Sequence, residues 1–172
     1  LRVGIATIRA LAQVQGKPVI GFSSLTALID SASAELKISR ENIVAAVSAY
    51  QGQIFLGWIE AQTNQKSVDT VCFASEAPTH AALNQKIEFG SKTPSEMLAV
   101  GSAAESLVET LRTGLKSAAI SDISPAGLIQ TIHSLYTQHT DIKYIFSKYD
   151  EIKPNYLRAS AAEINAANAS KI

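Results

Sequence analysis

Three histidines, one cysteine and a scatter of serines are the side chains in this sequence that could do chemistry. His80, His133 and His139 offer no i, i+4 pair that would put two metal ligands on one helical face, and no HExxH segment occurs. The spacing of six between His133 and His139 is a poor helical match, so a surface or capping role is expected and a metal site is not. Cys72 sits in an alternating strand-like segment without a local basic partner, which fits an inert buried thiol better than a nucleophile. Ser23-Ser24 precedes an apolar-periodic stretch, where capping a helix explains the pair more simply than nucleophilic catalysis does.

Two further chemistries need groups at defined places. A two-metal nuclease needs carboxylates on its first strand. The candidate position here is Ser48, and Val44, Ala45, Ala46 and Val47 before it offer no oxygen ligand. A phosphate-gripping hairpin needs an acid and several glycines, so that backbone N–H groups can approach phosphate. Tyr50-Gln51-Gly52-Gln53 has one glycine and no acid. Val100-Gly101-Ser102-Ala103 is a weak anion site at best, and a tight strand-to-helix turn accounts for its glycine. No catalytic residue, metal ligand or cofactor is expected from these patterns.

The elements that would position such groups follow from periodicity. Residues 1–13 read as a helix ended by Gly16 and Pro18. Val19–Phe22 reads as a short buried strand, and Ser23 or Ser24 caps a helix to about Leu36. Ile43–Ala49 and Ile54–Ala61 form a hairpin about Gly52, and Val68–Phe73 is a third strand carrying Cys72. Phe55 and Trp58 on the second strand belong to the core or an interface. Pro78 opens a helix to about Ile87, Met97–Val100 is a strand, Ser102–Thr113 a helix and Ser117–Ile120 a short strand. Ser124 caps a helix with Pro125 at its first position, and Leu128, Ile132, Leu135 and Tyr136 make its apolar face. The Ala-rich tail Ala159–Ile172 is either a terminal helix or frayed.

Three meandering strands followed by βα units make the ribonuclease-H-like α/β layout, whose tandem form is the actin-like ATPase architecture. Residues 41–140 would be its second lobe. Residues 1–40, helix-strand-helix, would be the remnant of a truncated first lobe, and residues 141–172 an irregular segment and tail.

Composition narrows the function. The 172 residues carry 15 basic and 15 acidic side chains, with 47% hydrophobic and 17% charged. A balanced charge argues against a broad basic footprint for nucleic acid. No stretch approaches the roughly 20 apolar residues that span a bilayer. A single cysteine fits a reducing, cytoplasmic setting. The opening helix stands apart. Leu1, Ile5, Ile8 and Ala12 follow one stripe, and Val3, Ala6, Ala10 and Val14 a second. A helix apolar on nearly all sides must be covered on nearly all sides, and Gly4, Ala6 and Ala10 let another helix come close. The cover is either a partner or the rest of the helix's own lobe.

Leu1-Arg2-Val3-Gly4-Ile5-Ala6-Thr7 followed by Pro18-Val19-Ile20-Gly21-Phe22-Ser23-Ser24-Leu25 resembles the TsaB (YeaZ) family, a bacterial subunit of tRNA threonylcarbamoyladenosine biosynthesis. Pro154-Asn155-Tyr156-Leu157-Arg158 is similar to the family's Pro-x-Tyr-Leu-Arg signature, which marks Pro154, Tyr156, Leu157 and Arg158. The hairpin departs from the family pattern: Ser48-Ala49-Tyr50 and Gly52-Gln53-Ile54-Phe55 stand where the family carries Asp-Ala-Arg and Gly-Glu-Val-Tyr. The resemblance implies a non-catalytic scaffold that pairs with a TsaD-like catalytic subunit, works with a TsaE-like ATPase and also forms a homodimer. The complex makes N6-threonylcarbamoyladenosine beside the anticodon of tRNAs reading ANN codons, and this subunit would meet tRNA only indirectly. By position, Leu1, Gly4, Ile5, Ala6, Ile8, Ala10 and Ala12 would line the pairing surface. The superfamily's older glycoprotease label implies a competing reading as a metallopeptidase, and its architecture a third as a nucleotide-binding protein.

Overall fold

The computed structural model describes residues 2–49, 52–59, 67–73, 97–111, 115–138 and 151–153. Helix α1 covers Arg2–Gln15 and α2 Ser24–Leu36, followed by a 3-10 turn at Arg40–Asn42. Strands β1 (Ile43–Ser48), β2 (Gln53–Ile59), β3 (Ser67–Phe73), β4 (Leu98–Val100) and β5 (Lys116–Ser117) form one sheet in the order β3-β2-β1-β4-β5. Helix α3 (Ala104–Leu111) lies between β4 and β5, and α4 (Pro125–Gln138) follows β5.

The expected meander is present. β1 pairs antiparallel with β2, β2 antiparallel with β3, and β4 runs parallel to both β1 and β5. This is the mixed order of the ribonuclease-H-like layout expected from the sequence. β1 is central and covered on both faces, which is why Ile43-Val44-Ala45-Ala46 is continuously apolar and not alternating. Val44 and Ala46 join Ile54, Leu56 and Trp58 under α3, against Leu107 and Leu111. Ile43, Ala45, Ile59 and Val100 face the opposite way, against Leu25, Leu28, Ile29 and Ala32 of α2. Each fully buried large apolar side chain contributes roughly 1.5–3 kcal/mol relative to exposure.

Across the boundary expected between residues 40 and 41, α2 shares a core with β1 and β4. The strand expected at Val19–Phe22 is a single bridge residue, Val19, in an otherwise irregular linker. Four residues satisfy the strand pattern, but among the described residues no ladder lies beside them, and they form a connection. The expected helix from Pro78 and the tail Ala159–Ile172 lie outside the described residues.

Gly101 shows what the β4–α3 turn demands. Its φ is +107°, and a Cβ there would stand 2.2 Å from the Ala46 carbonyl oxygen. Its N–H donates to the Ile120 carbonyl at 2.7 Å. The glycine is thus geometric, as the sequence suggested. Gly101→Ala combines left-handed backbone strain with a clash against a central strand. It is expected to lower stability by about 1–3 kcal/mol, read from the midpoint of chemical unfolding.

Candidate protein-interaction surface

Helix α1 is amphipathic in an inverted sense. Ala12 is buried, and Ile5 and Arg9 are half-buried on the same arc. The opposite arc carries Val3, Thr7, Leu11 and Val14 at i, i+4, i+8 and i+11, flanked by Gly4 and Ile8. Val3 is 80% exposed, Val14 87%, Leu11 52% and Ile8 51%. An arginine turned toward the body while four aliphatic side chains face water is the reverse of what an isolated surface helix does. Singly exposed aliphatics are ordinary, whereas a contiguous stripe of them marks an interaction surface.

The expected pairing residues divide accordingly. Gly4, Ala6, Ile8 and Ala10 are exposed, and Ile5 is half-buried. Ala12 is buried, on the one arc of the helix that is covered here, where the sequence pattern suggested cover on nearly all sides. Leu1 lies outside the described residues, as do Pro154, Tyr156, Leu157 and Arg158. The most exposed aliphatics of α1, Val3, Leu11 and Val14, are not among the expected pairing residues. The i, i+4, i+8, i+11 stripe would have picked them out had one-sided burial been assumed.

Helices α2 and α4 are joined by a polar seam. The Ser23 hydroxyl caps α2, accepting from the Leu25 N–H at 3.1 Å. Ser124 caps α4 as expected, accepting from the Gly127 N–H at 3.1 Å, with Pro125 at the first helical position. Asp30 is fully buried and ion-paired with Arg40, whose Nη2 also donates to Asp30 Oδ2 at 3.2 Å. The Thr131 hydroxyl of α4 donates to Asp30 Oδ2 at 2.5 Å, with the Gly127 carbonyl of its own helix 3.0 Å away as the alternative acceptor. The Ser31 hydroxyl donates to the Ala27 carbonyl and accepts the Ser124 N–H.

This seam corrects the face assigned to α4. Gly127 and Thr131 are turned against α2, while Leu128, Ile132 and Tyr136 are between 36% and 39% exposed and Leu135 is half-buried. The glycine lets the two backbones approach more closely than the leucine-isoleucine stripe would allow, so the small face goes inward.

His133 is exposed on α4, and His80 and His139 lie outside the described residues. Cys72 belongs to β3. Ser48 is exposed at the end of β1, where its N–H donates to the Ser102 hydroxyl at 3.0 Å. Among the described residues no three His, Cys, Asp or Glu side chains gather as a metal site, and no helix is long and apolar enough to cross a membrane.

A profile of the family described as TsaD, tRNA N6-adenosine threonylcarbamoyltransferase, matches residues 1–166. The chain belongs to the TsaD family. Two solved structures share its fold. One, described as an uncharacterized protein with similarity to peptidase YEAZ from Pseudomonas aeruginosa, is 18% identical with a TM-score of 0.66, over 91% of this chain and 67% of that one. The other, YeaZ from Pseudomonas aeruginosa, is 17% identical with a TM-score of 0.64, over 90% and 67% respectively. No curated protein matches by sequence. Within the TsaD family, therefore, the chain has the TsaB-like fold that its end motifs suggested.

Proposed function

We propose that this TsaD-family chain is a non-catalytic, TsaB-like scaffold in the synthesis of N6-threonylcarbamoyladenosine on tRNAs reading ANN codons. It pairs with a TsaD-like catalytic subunit, with a TsaE-like ATPase acting on the pair, and it forms homodimers through the same surface. One observation carries the reading: the outward stripe of Val3, Leu11 and Val14 with Ile8 beside it on α1. Helix-on-helix docking is the simplest way to remove such a stripe from water, and Gly4 and Ala10 leave room for a close crossing.

Leu11→Glu tests it. The position is exposed, so the fold is expected to persist by circular dichroism. Burying a carboxylate without a partner in the docked helix pair is costly. Sedimentation with the co-expressed TsaD-family subunit is expected to show affinity reduced by about tenfold or more. Unchanged association with the fold intact would remove the scaffold reading.

A further inference from the structure

We draw no further inference here: the strongest candidate, the exposed apolar face of α4 carrying Leu128, Ile129 and Ile132, carries none, because nothing among the described residues shows what covers it.

Discussion

Gly127→Val is expected to lower the stability of the chain by roughly 3 kcal/mol or more, seen as a drop in melting temperature on the order of 10 °C. A Cβ at Gly127 would stand 2.0 Å from the Ser31 hydroxyl, 2.5 Å from its Cα and 2.6 Å from its amide nitrogen. The obstruction is therefore the backbone of α2, which no rotamer change can clear. Even the full helix-propensity penalty of glycine, about 1 kcal/mol in a helix interior, is smaller than the cost of this clash. Forcing the helices apart would also break the bond from the Ser124 N–H to Ser31 and draw Thr131 away from Asp30. A melting temperature within a degree or two of wild type would mean that the two helices do not touch in solution as they do here.

Arg40→Ala is expected to be comparably damaging, about 3–5 kcal/mol, because it leaves the fully buried Asp30 carboxylate without its ion-pair partner. The Thr131 hydroxyl then remains as a single neutral donor to that carboxylate. Arg40→Ala combined with Asp30→Leu is expected to recover part of the loss, since removing both charges also removes the cost of burying one alone. Urea unfolding of the single and double variants measures this. A double variant as unstable as the sum of the two single changes would show that the pair holds the seam by shape and not by charge.

Much of the sheet was legible in the sequence, because its signals are local. Ile43–Ser48 and Gln53–Ile59 flank a glycine turn, Ser67–Phe73 alternates, and Ser124-Pro125 announces a helix start. Val19–Phe22 misled because a strand is a property of two segments, and an apolar run carries no record of whether a neighbour exists. The face of α4 misled for a related reason. Helical spacing identified an apolar stripe at Leu128, Ile132 and Tyr136, but the packing followed the closest backbone approach, which depends on where α2 lies.

The candidate interface shows the same division. The residues of α1 fixed that a long apolar helix opens the chain, and its motifs, with those near Pro154, pointed to the right family. Only the tertiary structure decided which arc of that helix meets the body. It turned Ala12 and Arg9 inward and left Val3, Leu11 and Val14 in water. Periodicity ranks the faces of a helix by greasiness. Which face is buried is set by the shape of what packs against it, and that shape is built from residues far away in the chain.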